Sequence, residues 1–307
     1  MVQQFISEQL VIILNGLSGA ATLFLLGTGM SLIYGMLNFL NLAHAAFLPL
    51  GAYLGASLIH ATVGAVGGTL GFVGLFVVFF VLLLVVVPVT VSAIGLAMEQ
   101  TAFKPLYGLE DDYQLLATFG VILMMEDAMK FIWGGQPVSA TAPANLLGSF
   151  SLPGRTYPWW SVLTILVTVL VAATLYYFFE ETRLGKITLA MAEDDEAVSF
   201  TGIDTRSIHL KVFVIGIALA ALGGALYLPL ASMTTGLALE FVILAFAVLV
   251  IGGLGSLKGA ITASLIIGMV QAYGSYYVPV LELAIVFLLM AAVMLVKPTG
   301  LFGEIEA

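Results

Sequence analysis

Apolar residues in this chain do not alternate with polar ones; they run in long blocks. Phe72 to Val91, Ser161 to Phe179 and Leu281 to Val296 are almost free of charge, and about 20 apolar residues is the length a helix needs to cross a bilayer core. The pattern predicts helical segments near 10 to 34, 38 to 59, 70 to 97, 113 to 132, 159 to 179, 209 to 231, 237 to 256, 258 to 277 and 280 to 296. Gly or Pro interrupts many of these, and two pairs are joined by almost nothing, so the expected range is about eight to ten segments, some broken or re-entrant. The fold class is therefore all-α, a polytopic transmembrane helix bundle occupying 1–307 as a single domain. Gly16, Gly19, Gly27, Gly29 and Gly35 lie inside the first block and its exit, where small residues let helices approach closely.

Two polar interruptions are long. Residues 134–158 hold Pro137, Pro143, Pro153, Gly154 and Pro158 and lead into Trp159 and Trp160, a composition expected of an irregular segment at the membrane surface. Residues 180–208 form the other. There Leu184, Ile187 and Met191 recur at helical spacing, and a second short helix is expected over Asp194 to Thr201, with acidic residues at its start and Gly202 as its C-cap. Apolar positions at that spacing need something to bury them, so this loop is a candidate docking platform.

Composition confirms the solvent and narrows the class. The chain is 61% hydrophobic and 9% charged, with mean hydropathy +1.14, whereas soluble domains are about a quarter charged. The net charge of −9 argues against nucleic acid as a partner. With no Cys, disulfides, thiolate metal sites and Cys nucleophiles are excluded. No Lys or Arg precedes the first block, so it reads as a retained span and not a cleaved leader. Basic residues orient the bundle: Lys104, Arg183, Lys186, Arg206, Lys211, Lys258 and Lys297 share one side if every segment crosses, which makes that side, and the C-terminus, cytoplasmic and the N-terminus external.

Catalytic constellations are missing. His44, His60 and His209 are scattered, and Gly252 to Gly259 lacks the Lys and hydroxyl pair of a phosphate-binding loop. That run reads as a tight turn with close helix packing. An enzyme is not expected, and no cofactor or metal is implied. Polar groups inside apolar segments are costly and so point to function. Asn15, Ser18, Thr22, Thr28, Ser31, Tyr34, Asn38, Asn41 and His44 crowd the first segment and its exit, as the lining of a solute path would. Glu126 and Asp127 precede Lys130 by four and three residues, which suggests self-neutralisation on one helix face. Glu240 and Glu282 stand near segment starts, and Glu240 heads an otherwise apolar run.

Four blocks resemble the permease subunits of ATP-binding-cassette importers for branched-chain amino acids, in particular the shorter of the two permeases that work together. They are Tyr34 and Gly35 with Asn38 to His44 and Leu50 to Tyr53; Glu99 to Leu106; Thr182 to Ile203; and Ala245, Phe246 and Ile251 to Ala260 with Lys297 to Gly300. The resemblance implies that Arg183, Gly185, Glu193, Asp194 and Gly202 belong to a coupling loop. That loop would dock on separate ATPase subunits, which bind the ATP. It further implies two ATPases, a second permease, an extracytoplasmic solute-binding protein and a cell-membrane location. Asn15, Asn41, His44, Tyr53 and Glu240 are then candidate path residues. Ala45 and Ala46 depart from the family's usual Gly and Glu, and Leu244 from its frequent Lys, which leaves the substrate open among branched-chain amino acids, urea and amides. The alternative from the residues alone is an ion-gradient-driven secondary transporter or channel, with Glu126 and Asp127 as its ion site.

Overall fold

The computed structural model describes residues 2–303, and among them the regular structure is helical except for one small hairpin and an isolated bridge between Val138 and Met233. The residues at the expected cytoplasmic C-terminus beyond 303, and Met1, lie outside the described residues. Helix α1 (Val2–Leu37) is the central column. It packs along α10 (Thr205–Tyr227) and α12 (Leu257–Tyr277), with crossings made by small residues. A Cβ on Gly268 would stand 2.6 Å from the Gly16 carbonyl oxygen and the Ala20 nitrogen. Lipid is as apolar as a helix side, so such close contact, not exclusion from water, holds the column together.

After α1 the backbone turns back at Asn38, the one non-glycine residue with positive φ (+45°) among those described, a conformation Asn tolerates better than most. It then re-enters through a 3-10 turn (Leu42–Ala46) and continues as α2 (Phe47–Val66). The expected segment 38 to 59 is thus a broken one, shifted outward. Irregular backbone at this depth needs polar partners, and the next helix but two supplies them. From α5 (Asp111–Trp133), Gln114 Oε1 accepts the Leu40 N–H at 3.0 Å and Thr118 Oγ1 accepts the Leu42 N–H at 3.2 Å.

Between α2 and α5 the chain forms α3 (Phe72–Val81) and α4 (Val87–Met98), joined by a π-turn over Leu82–Val86. The widened turn sits where Pro88 would otherwise meet the preceding carbonyls, which is how a proline is carried inside a long helix. A second π-turn (Glu99–Phe103) and a 3-10 turn (Lys104–Leu106) extend this helix into what the pattern read as loop. The outer segment is also more ordered than its prolines suggested. It contains α6 (Ala142–Leu147) and a hairpin, β1 (Ser149–Leu152) with β2 (Arg155–Pro158), closed at Pro153 and Gly154.

The remaining elements are α7 (Trp159–Glu181), the short pair α8 (Arg183–Glu193) and α9 (Asp195–Ser199), then α11 (Leu237–Gly252) and, after α12, α13 (Glu282–Val296). Ends that touch share a side. At one, Ser7 Oγ donates to the Pro153 carbonyl at 2.8 Å and Gln9 Nε2 to Tyr277 Oη at 3.0 Å. At the other, Leu301 N–H donates to the Ile251 carbonyl at 2.8 Å and Phe302 N–H to that of Gly252 at 3.0 Å. Among the described residues nine helical runs alternate between these two ends. Six are long and apolar enough to cross a membrane by themselves; α5, α11 and α12 complete the set. Lys104, Arg183, Lys186, Lys258 and Lys297 gather at the second end, which is the cytoplasmic one by the charge rule. Burial ranks the helices. The most apolar window of the run holding α2 is 78% buried and those of α1 and α10 are each 67% buried, while that of α13 is 6% buried, so α13 lies at the edge of the bundle.

Candidate functional site: an outer cleft and an inner platform

A cleft of about 520 Å³ opens at the outer end between α1, β2, α11 and the starts of α7 and α13. Asn15, Ser18 and Thr22 face it from successive turns of α1, the spacing that puts residues on one helix side. Glu240 contributes from the first turn of α11, Gln271 from α12 and Glu282 from the first turn of α13. A neighbouring hollow of about 380 Å³ shares Asn15, Gln271 and Glu282 and adds Arg155. Arg155 is engaged there: its guanidinium stands 3.8 Å from Glu8 and 5.9 Å above the centre of the Tyr276 ring. Tyr157 walls the cleft at 3% exposure. Burial raises its phenol above the usual range, so it stays a neutral group. The cleft therefore offers two carboxylates, two amides and hydroxyls, a set suited to a small polar solute that carries an ammonium group.

Of the five path candidates, Asn15 and Glu240 meet in this cleft. The other three do not open into it. Asn41 is 2% exposed, and His44 and Tyr53 are 0% exposed. His44 is wedged between α1 and α10, where a Cβ on Gly29 would stand 2.8 Å from its Nε2. Tyr53 stacks on Trp133 with ring centres 5.4 Å apart, and Trp133 Nε1 donates to Ser57 Oγ at 2.7 Å. Polarity in an apolar segment marked both kinds of residue alike; only packing separates a lining group from an interior one. Gln271 and Arg155 were missed. Gln271 is the sole amide of its segment and was legible by the rule that found Asn15. Arg155 reaches the site only because the hairpin folds back over α1.

Asp127 and Glu126 part company. Asp127 is exposed and pairs with Lys130 at 3.2 Å, whereas Glu126 turns inward at 4% exposure, with Oε1 unpartnered among the described residues. The expected common face holds for Asp127 and Lys130 only, and the two carboxylates do not converge on an ion site. Among the described residues no three His, Asp or Glu side chains group to hold a metal.

At the inner end α8 and α9 form the platform, each start fixed by a side chain. Thr182 Oγ1 accepts the Gly185 N–H at 3.0 Å, and Asp194 Oδ1 accepts the Ala197 N–H at 2.8 Å, the bonds of N-capping residues. The second helix is shorter than expected, and Asp194 is its cap. Gly202 follows at φ +80°, the left-handed conformation that glycine adopts freely. Gly185 and Met191 are buried against the bundle; a Cβ on Gly185 would stand 2.6 Å from the Phe179 Cα. Arg183, Glu193 and Asp194 face outward. So do Leu184 at 46%, Leu189 at 45% and Phe200 at 82% exposure.

A bundle of nine helical runs between two ends, six of them long and apolar enough to cross a membrane, defines a polytopic membrane protein, with a polar cleft at one end and two short helices at the other. Residues 12–296 match the family model described as the branched-chain amino acid transport system permease component, and the chain belongs to that family. It is 28% identical over 306 residues to the high-affinity branched-chain amino acid transport permease BraD of Pseudomonas aeruginosa, covering 97% of this chain and 96% of that one. It is similarly 28% identical to LivH of Escherichia coli K12 (95% of this chain, 94% of that one) and 27% identical to LivH of Salmonella typhimurium, with the same coverage. Family membership makes the chain a multi-pass cell-membrane component of a larger transport system and not an enzyme.

Proposed function

We propose that this chain forms one membrane half of an ATP-driven importer for branched-chain amino acids or a closely related small zwitterion. A second permease would supply the other half of the path, two ATPase subunits the energy, and an extracytoplasmic binding protein the solute. The observation that carries this reading is the platform. Leu184 and Leu189 lie exposed on α8, whose start is capped and whose backbone is pinned at Gly185, and Phe200 lies exposed just past the capped helix α9. An apolar surface of that kind, outside the membrane spans, needs a protein partner. Arg183, Glu193, Asp194 and Gly202 belong to this docking face.

The outer cleft receives the solute in the same reading. Asn15, Glu240, Gln271 and Glu282 line its entry, and the ammonium group common to amino acids is what two carboxylates select. Asn41, His44 and Tyr53 support the re-entrant turn from inside and act on the path by positioning it.

Reconstitution tests the whole. The chain, with its sister permease, ATPases and binding protein in proteoliposomes, should take up labelled leucine only with ATP and regardless of ionophores. Uptake that needs an ion gradient, or that proceeds with the chain alone, would overturn the reading.

A further inference from the structure

Three outward-facing runs carry no charge that lipid would reject. Phe72 to Val91, Trp159 to Phe179 and Leu283 to Val296 hold no Asp, Glu, Lys or Arg, and Val77, Leu170 and Leu288 stand exposed on them. Helix α5 is different. Leu116, Gly120, Met124, Asp127 and Phe131 recur every three or four residues, which puts them in one stripe along the helix, and the whole stripe is exposed. The opposite side, with Gln114, Thr118, Ile122 and Met129, is buried in the bundle.

Asp127 sits deep in the span. Trp133, the last residue of α5, donates from Nε1 to Ser57 Oγ at 2.7 Å, and Ser57 lies in the middle of α2, well short of that helix's outer end at Val66. Asp127 is six residues further in, about 9 Å along the axis. There 79% of the Asp127 side chain and 45% of the Lys130 side chain are uncovered. Their mutual contact cancels the net charge but leaves carboxylate and ammonium atoms facing outward, and hydrocarbon can hydrogen-bond neither. Protein, or water held by protein, has to cover this stripe. The surroundings suit a helix. Beside the stripe an apolar hollow of about 260 Å³ opens between Leu115 of α5, Phe246 of α11 and Phe287 of α13. A Cβ added at Gly120 would touch nothing, so a neighbouring backbone can come close there.

We propose that the face formed by α5, α11 and α13 is the seam against the second permease of the importer. That partner lays a transmembrane helix along Gly120, sets an apolar side chain in the hollow and presents a hydrogen-bond donor at the level of Asp127, the more exposed member of the pair. Only a chain that itself crosses the membrane reaches this depth. A second copy related by a two-fold axis along the membrane normal would bring Asp127 to the same depth as its own counterpart, like charge beside like; a sister chain is free of that constraint. The partner's identity rests on the importer reading, whereas the place of the seam rests on the exposed stripe alone.

The test uses the reconstituted importer. Because the chain has no Cys, single cysteines can carry a benzophenone maleimide. Leu116→Cys and Met124→Cys on the stripe should photocrosslink to the sister permease, and Leu166→Cys and Leu170→Cys, exposed on α7, to phospholipid alone. Asp127→Leu should lower retention of the sister on the purified chain by about tenfold, the worth of a charged hydrogen bond, and Asp127→Asn, which still accepts, should largely keep it. Unchanged melting of both variants in nanodiscs separates lost docking from lost folding. Stripe cysteines that label phospholipid alone in a transporting importer overturn the proposal, as do crosslinks between two copies of this chain or sister crosslinks confined to α7. Sister crosslinks from the stripe together with uptake that ignores ATP would sink the importer reading and leave the seam standing.

Discussion

Gly27 of α1 lies directly on Val248 of α11: a Cβ on Gly27 would stand 2.8 Å from the Val248 Cβ. One turn earlier on each helix, Leu23 and Leu244 still line the outer cleft. The cleft therefore ends where α11 closes onto α1, and in the proposed importer this contact is the floor a solute would pass. Val248→Ala removes two methyl groups at a cost of about 1–3 kcal/mol of packing. It should deepen the cleft and raise leucine leak through the assembled importer without ATP. Gly27→Leu should pry the helices apart and abolish coupled uptake. Flux in proteoliposomes with and without ATP measures both, and a Val248→Ala importer as tight as the parent would remove the floor from this position.

Glu240 and Glu282 enter the cleft from the first turns of two different helices. Each should contribute to ammonium recognition, so Glu240→Gln and Glu282→Gln should raise the KM for leucine by about tenfold each while leaving the ATPase rate at saturation little changed. If instead kcat collapses with KM unaltered, the pair serves the conformational cycle and not recognition.

Gly185 fixes the platform by backbone contact with the end of α7. Gly185→Leu should lift α8 and separate ATP hydrolysis from uptake, with hydrolysis persisting and transport lost. Removing a cap is milder. Asp194→Ala forfeits the bond to the Ala197 N–H, a loss of about 1 kcal/mol, and amide exchange over 195–199 should quicken with transport only reduced. ATP-driven uptake at the parent rate in Gly185→Leu would discard the platform's coupling role.

Glu126 is buried with an unpartnered oxygen, next to the fully buried Tyr53. An oxygen so placed makes no hydrogen bond that a substitution would forfeit, and Glu126→Gln should leave the melting temperature and ATP-driven uptake at the parent level. A melting temperature that falls, together with transport that has lost a dependence on a proton gradient, would revive Glu126 as an ion site.

Several elements were legible before any coordinates. The platform helices were, because Leu184, Ile187 and Met191 repeat at a period only a helix uses and Asp194 stands where a cap belongs. The turn at Ile251 to Ala260 was too: Gly253 and Gly255 adopt positive φ there, and Lys297 Nζ donates to the Leu301 carbonyl at 2.8 Å as the C-terminal segment docks beside it. The π-turns were not. Leu82 to Val86 is uniformly apolar, so nothing in its pattern records that one extra residue is fitted into the helix before Pro88. The hairpin was hidden as well, since its strands pair with each other and with nothing else among the described residues.

The division has a physical cause. Apolar block length and charge asymmetry are properties of single segments, and they determined by themselves that this is a multi-span membrane bundle with most of its basic residues at one end. Which polar side chain faces a path depends on which helix passes behind it. Asn15 and His44 lie in blocks of the same polarity. One looks into a cleft lined by both α1 and α11, while the other is sealed because Gly29 and Gly216 let α1 and α10 close around it. Only the packing of distant helices decided between them.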